Sequence, residues 1–382
     1  MNNFLKDLLA RTVFRVFSLV NQIIVKDDSH ILLYSNVGFR DNVRAVYDYL
    51  IENEYNEKYT IFISANSLIP ENLPANVKAI SCVKGVVKYF TSGHVFYCQG
   101  KIPIYPSLNQ NVVQMWHGTP FKGNDSRGDR NKTTKSYYTH ILSPSPYFIQ
   151  IFVDNFSVSK EQVAICGQPR TDVMFRENKR PDELADYRKI IMWMPTYRKS
   201  SVLGDEDVKQ SSIIPIFSIA ELNELDSKLG DLNICLIIKL HPLQNLDLYE
   251  EVKLNNIQLL NQNDFQNKGW NLYKLLSCAD ALISDYSSVF YDYMLLDRPI
   301  GFAIDDIDEY RNKRGFVVDD PDFFMAGEKI KSKEDFYQFI NHISNGLDPY
   351  KDQRKEVNKI THSYPDGNNC KRALEIGGVY LK

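Results

Sequence analysis

Two histidines follow apolar runs of strand length. Asn111-Val112-Val113-Gln114-Met115 leads into Trp116-His117-Gly118-Thr119-Pro120, and Cys235-Leu236-Ile237-Ile238-Lys239-Leu240 leads into His241-Pro242. A histidine at a strand's carboxyl end, followed by Gly or Pro, falls where open α/β folds hold their ligands. Imidazole titrates near neutral pH without help. One ring therefore suits removal of a proton from an attacking hydroxyl. The other, cationic or as a neutral donor, suits stabilisation of charge on a leaving phosphate. Neither histidine has a neighbour at metal-ligand spacing, so a zinc site is not expected.

Two further strand ends are polar: Pro195-Thr196-Tyr197-Arg198 and Asp285-Tyr286-Ser287-Ser288. An apolar helical run, Val289 to Leu296, follows the serines, which puts one of them near a helix N-cap. Capping is the plainer role for that serine. The chemical role is a phosphate held by hydroxyls, free N–H groups and the helix dipole. Asp292, one turn on and on the same face as Ser288, suits a ribose or polyol hydroxyl. Lys239, Arg170 and Arg198 carry the charge that a diphosphate needs, although surface solvation is the commoner fate of a lone Lys or Arg. The chain has no Walker-type phosphate loop, no Gly-rich dinucleotide fingerprint and no Gly-x-Ser-x-Gly elbow, so kinase, dehydrogenase and serine-hydrolase readings lack support.

The elements that must position these residues alternate between apolar runs of strand length and helical patterns, which argues for parallel sheets of βαβ units. Strands are predicted at 31–35, 59–64, 77–81, 94–97, 111–116, 139–143 and 163–166, then near 190–194, 233–240, 257–260, 281–284 and 299–304. Val43, Val46, Tyr47 and Leu50 have helical spacing within a helix predicted from Asp41 to Glu52. The charged stretch 171–189, broken by Pro181, is the linker expected between two α/β series, and 201–215 reads as a loop. The fold class is α/β and GT-B-like: two Rossmann-like domains facing a central cleft, over 26–175 and 190–350. A helical segment, 351–382, is expected to pack back on the N-terminal domain.

At 382 residues the chain is long for one core, and 43% apolar content with 12% aromatics is that of a globular protein. A net charge of −3 makes no case for nucleic acid as a partner. Six scattered cysteines without a CxxC pair read as reduced core thiols. Residues 1–25 mix large apolar side chains with Lys6, Asp7, Arg11 and Arg15, and the longest uncharged stretch, Val16 to Val25, is too short to span a bilayer. An amphipathic helix lying in a membrane interface and one packed on its own domain both fit that pattern.

The same motifs, in the same order, resemble the CDP-glycerol glycerophosphotransferase family of teichoic-acid and related polyol-phosphate polymer synthesis. The likeness runs from about Gly38 to Arg372. It takes in Ser35-Asn36-Val37-Gly38-Phe39-Arg40-Asp41-Asn42, Gln114-Met115-Trp116-His117-Gly118-Thr119-Pro120, Gly167-Gln168-Pro169-Arg170-Thr171-Asp172 and Met194-Pro195-Thr196-Tyr197-Arg198. It continues through Lys239-Leu240-His241-Pro242, then Ala279 to Ser288 with Asp292, Arg298-Pro299, Glu309-Tyr310-Arg311, Arg314-Gly315-Phe316 and Asp366-Gly367. One departure is Phe121-Lys122-Gly123, where the family often carries Leu and further Lys.

The resemblance implies transfer of glycerol phosphate from CDP-glycerol to a hydroxyl of a polyprenyl-linked or glycan acceptor. An acceptor oxygen would attack the β-phosphorus and release CMP. His117 and His241 look like the family's essential pair. Trp116, Gly118, Thr119, Pro120, Arg170, Pro195, Thr196, Lys239, Leu240, Ser287, Ser288 and Asp292 look like its donor contacts. The N-terminal domain would then take the acceptor, which favours His117 as the base, and the C-terminal domain would bind the CDP-polyol. No cofactor is required by this reading. The expected location is the cytoplasmic face of the cell membrane, as a peripheral protein. CDP-ribitol at the same site, a nucleotide-sugar glycosyltransferase and a non-catalytic binding module that keeps the fold are the alternatives. With little outside the transferase core, the chain resembles a primase, short-chain transferase or glycan-modifying enzyme more than a long polymerase.

Overall fold

The computed structural model describes residues 3–99, 102–123, 137–195, 214–240 and 253–381. The chain divides into two compact units. Unit 1 comprises Met1–Gly118, Asp129–Asp172 and Thr361–Lys382; unit 2 comprises Thr119–Gly128 and Val173–Ile360. The first crossing thus falls one residue after His117. A later one falls at Asp172, near the start of the charged stretch 171–189.

Unit 1 holds seven parallel strands, β1 (Asp27–Ser35), β2 (Thr60–Ala65), β3 (Val77–Ile80), β4 (Ser92–Tyr97), β5 (Asn111–Gln114), β6 (His140–Ser143) and β7 (Val163–Ile165), in the order β3-β2-β1-β4-β5-β6-β7. Ile31, Leu32 and Leu33 are fully buried because both faces of a parallel sheet are covered, so β1 reads as a continuous apolar run rather than an alternation. The helix Asp41–Glu52 follows β1 and buries Val43, Val46, Tyr47 and Leu50, the face that the helical spacing requires. The last helix, Asn369–Ile376, packs beside it and adds Cys370, Ala373 and Leu374 to the same core. Gly167 gives the close approach this needs, because a Cβ there would lie 2.5 Å from Asn369 Oδ1.

Unit 2 holds six parallel strands, β8 (Lys189–Trp193), β9 (Ile234–Lys239), β10 (Ile257–Leu260), β11 (Ala281–Ser284), β12 (Ile300–Ala303) and β13 (Glu328–Ile330), in the order β10-β9-β8-β11-β12-β13. β13 has no counterpart among the predicted strands. Its two charged residues in three hide a β pattern, and its place at the sheet edge is where charge is tolerated. The core of this unit is built on Ile191, Trp193, Leu236, Ile238 and Ile283 with Phe217, Phe336 and Phe339.

Candidate active site

In each sheet the strand order reverses once, between β1 and β4 in unit 1 and between β8 and β11 in unit 2. Ligands of open α/β sheets bind outside the carboxyl ends of strands at such reversals. In unit 1 the segments leaving those ends are Asn36 to Asn42 after β1, Cys98 after β4 and Met115 to His117 after β5. In unit 2 they are Pro195 after β8, Leu240 after β9 and Asp285 to Ser288 after β11.

The unit 1 site is a three-way brace around His117. Asn42 Nδ2 donates to the Trp116 carbonyl at 2.8 Å and to Gln168 Oε1 at 2.7 Å, and Asn42 Oδ1 accepts the Arg170 backbone N–H at 3.0 Å. Arg170 Nη1 donates to Asp41 Oδ1 at 2.7 Å and to the His117 carbonyl at 3.0 Å. The Arg170 side chain is 9% exposed, so its charge is met inside the protein by Asp41 rather than held out to solvent. Asp41 (φ +63°) and Trp116 (φ +57°) both sit in the left-handed region. Strained backbone of this kind persists where the surroundings over-determine it, and it gathers at functional sites.

The His117 ring lies against the Trp116 indole, with centroids 4.0 Å apart, and Trp116 meets Phe156 edge-on at 4.5 Å. His117 keeps solvent-exposed surface. Packing around the ring nevertheless desolvates it and lowers its pKa below the ordinary 6.5; Asp41 pulls the value up and Arg170 pushes it down. A hydrogen bond to the Cys98 backbone also raises the value, as donation from a ring N–H to that carbonyl would. In the neutral ring one nitrogen carries the proton and the other keeps its lone pair.

Gly118 is buried at φ +151° and is also in unit 1; the remaining predicted residues fall in unit 2 or outside the described residues. Thr119 is buried and its Oγ1 has no hydrogen-bond partner, and Pro120 is half-buried. Phe121 packs on Phe290 and Phe316, and its carbonyl accepts from Val317 N–H at 3.0 Å. Pro195 and Leu240 are buried, and Lys239 Nζ lies 5.6 Å from the Phe265 ring centroid. Ser287 and Ser288 are half-buried. Ser288 occupies the N-cap of Val289–Met294 but makes no side-chain capping bond. Its φ −61° and ψ −7° are helical, whereas a capping serine is extended, so the plain capping role does not apply. Asp285 Oδ1 instead accepts the Ser287 N–H at 3.0 Å. Asp292 is fully buried, and its Oδ2 accepts the Tyr273 hydroxyl at 2.8 Å. Thr196, Arg198 and His241, with most of the loop at 201–215, lie outside the described residues. No cluster of three metal-ligating side chains occurs among the described residues.

Asp41, Asn42, Gln168 and the Cys98 carbonyl were not among the predicted site residues. Asp41, Asn42 and Gln168 all lie in the motifs quoted above, but nothing in linear spacing reveals that they meet at His117.

Two parallel-sheet units with polar segments at the strand ends define a GT-B-like transferase. The wall teichoic acid polymerase TagF has the same fold, with a TM-score of 0.73 at 20% identity over 98% of this chain and 95% of that one. The family model for CDP-glycerol:poly(glycerophosphate) glycerophosphotransferase matches residues 16–376, and the chain belongs to that family. It is similar to the teichoic acid poly(glycerol phosphate) polymerase of Bacillus spizizenii, at 27% identity over 89% of this chain and 90% of that one. It is also similar to the teichoic acid glycerol-phosphate primase of Bacillus subtilis, at 26% over 92% of each. The teichoic acid poly(ribitol-phosphate) polymerase of Bacillus spizizenii matches at 27%, but this chain spans 55% of its length.

Proposed function

We propose that this protein transfers glycerol phosphate from CDP-glycerol to a hydroxyl of a lipid-linked or glycan acceptor in teichoic acid or capsule-type polymer synthesis. The observation that carries the reading is His117: a ring of lowered pKa on a braced loop at a sheet's carboxyl end, in a member of this family. His117 removes the proton from the acceptor hydroxyl. The oxygen attacks the β-phosphorus and a phosphodiester forms. The bond from that phosphorus to the bridging oxygen breaks, and CMP leaves with the electron pair. Positioning and charge stabilisation dominate such a transfer.

Unit 1 serves the acceptor in this reading. Lys239, Ser287, Ser288, Pro195 and Asp292 of unit 2 serve the CDP-polyol, together with Thr196, Arg198 and His241. TagF has been solved after soaking with CDPG, which supports this donor class. The test is release of CMP from CDP-glycerol with a lipid-linked acceptor. Wild-type turnover in His117→Ala would remove that residue from the chemistry, and a released nucleoside diphosphate would point to glycosyl transfer. Relatives of both polyol classes match at 27% identity, so CDP-ribitol is the donor to run in parallel.

The site of action in this proposal is the cytoplasmic face of the cell membrane, reached through the first helix. Asn3–Ile23 turns a polar face to its own unit: Asn21 Nδ2 donates to Tyr105 O and Gln110 Oε1, both at 2.9 Å, and Ser18 Oγ accepts from Tyr105 N–H at 3.0 Å. Val16, Leu19 and Ile23 are left 51%, 71% and 81% exposed, beside basic Arg15. An apolar face turned outward with a basic residue alongside suits an anionic lipid surface. No helix among the described residues is long and apolar enough to cross a membrane.

A further inference from the structure

The brace around His117 contains a carboxylate to which nothing above gives a part in the chemistry. We propose that Asp41 is a positioning residue for His117, its carboxylate locking Arg170 and the first turn of the helix Asp41–Glu52 onto the Trp116-His117 backbone. The inference rests on the reading of His117 as the base.

Three observations support it. Asp41 Oδ1 takes both Arg170 Nη1, at 2.7 Å, and the Asn42 N–H, at 2.9 Å. The same Nη1 donates to the His117 carbonyl at 3.0 Å, and the side-chain Nδ2 of Asn42 donates to the Trp116 carbonyl at 2.8 Å. Asp41 thus reaches both peptide units that set the direction of the imidazole. Finally, Asp41 stands in left-handed backbone at φ +63° as the first residue of a helix. An ordinary N1 residue has no need of that conformation, whereas here it brings the carboxylate to Arg170.

The charge has a second effect. The charged groups that act on His117 are Asp41 and Arg170; Trp116 faces its ring, and the Cys98 backbone bonds it. Arg170 alone would disfavour the imidazolium formed when the base takes a proton. Asp41 offsets that and keeps His117 basic enough to act.

The experiment measures CMP release from CDP-glycerol against pH for wild type, Asp41→Asn, Asp41→Glu and His117→Ala, with circular dichroism to verify folding. Asp41→Asn is expected to lower kcat about tenfold to a hundredfold through misplacement of the base. Its donor KM should change less than about threefold. Its acid limb should move to lower pH, because the charge that raises the proton affinity of His117 is gone. Asp41→Glu keeps the charge but moves it by one bond, so the acid limb should stay while kcat falls. A folded Asp41→Asn protein with wild-type kcat and acid limb overturns the inference. If Asp41→Asn does not fold, unchanged kcat in Asp41→Glu overturns it. His117→Ala separates the two levels: wild-type turnover there removes the base itself, whereas an inactive His117→Ala beside a normal Asp41→Asn removes only the role of Asp41.

Discussion

Asp172 Oδ2 accepts the backbone N–H of Cys370 at 2.6 Å, and Oδ1 accepts that of Asn369 at 2.9 Å, across separations of 198 and 197 residues. The carboxylate thereby satisfies two of the otherwise unpaired donors that open the helix Asn369–Ile376. It is one of the contacts that fasten the helix Asn369–Ile376 to the rest of unit 1, beside the Gly167 N–H to Asn369 Oδ1 bond at 3.1 Å.

Asp172→Ala should therefore cost about 1–3 kcal/mol by leaving buried N–H groups unpaired, read as a lower denaturation midpoint. Asp172→Asn, which keeps one acceptor oxygen, should cost less. Burial is the largest influence on Asp172 and raises its pKa above the ordinary 3.8, against hydrogen bonds that lower it. A carboxyl whose folded-state pKa is raised favours folding at low pH, and that contribution is lost as pH rises through the folded-state value. Wild type should accordingly lose stability relative to Asp172→Asn as pH increases above about 4. The opposite slope would show that the carboxylate's hydrogen bonds outweigh its desolvation.

The pH dependence of catalysis runs the other way. His117 must be neutral to accept a proton, and its pKa lies below 6.5. Turnover should rise with pH through an acid limb below that value and stay level above it until another group titrates. His117→Ala should lower kcat by about 10²–10⁴ and abolish the limb. A limb that survives in His117→Ala belongs to a different residue.

Gly123 is a steric test of unit 2. Its N–H donates to the Gly315 carbonyl at 2.8 Å, and a Cβ there would meet the Arg314 carbonyl oxygen at 2.3 Å. Gly123→Ala should destabilise the protein by about 1–3 kcal/mol through forced backbone displacement. Thermal melts decide this, and an unchanged midpoint would mean that the pairing of Phe121–Gly123 with Gly315–Val317 gives way at no cost.

The first helix offers a separation of function. Replacing Val16, Leu19 and Ile23 together by Asp removes exposed apolar side chains and leaves the Ser18 and Asn21 contacts in place. Binding to anionic vesicles should fall at least about tenfold, since each such side chain contributes roughly 1.5–3 kcal/mol when buried. Folding, followed by circular dichroism, should not change. Undiminished vesicle binding would place the lipid contact elsewhere.

Much of this architecture is legible in the linear chain because parallel strands are buried on both faces. Ile31 to Leu33, Ile190 to Trp193 and Ile234 to Ile238 are continuous apolar runs, and that continuity is the signature of a covered parallel sheet. β13 escaped because an edge strand of three residues with Glu328 and Lys329 carries no such run. Phe121, a departure from the family pattern, reads as a change near the acceptor loop, yet it fills a pocket between Phe290 and Phe316.

By itself the sequence determined the two α/β series, the strand-end position of His117 and the membership that its ordered motifs announce, because each depends on local periodicity or contiguous residue types. Only the tertiary structure decided the company His117 keeps. Asp41 and Arg170 are 129 residues apart in the chain, and their 2.7 Å contact exists because β1 is a neighbour of β4 in the sheet and the segments that follow β1 and β7 converge on the loop after β5. A left-handed aspartate and a buried arginine spent on it are consequences of closure in three dimensions. No spacing rule along the chain encodes them.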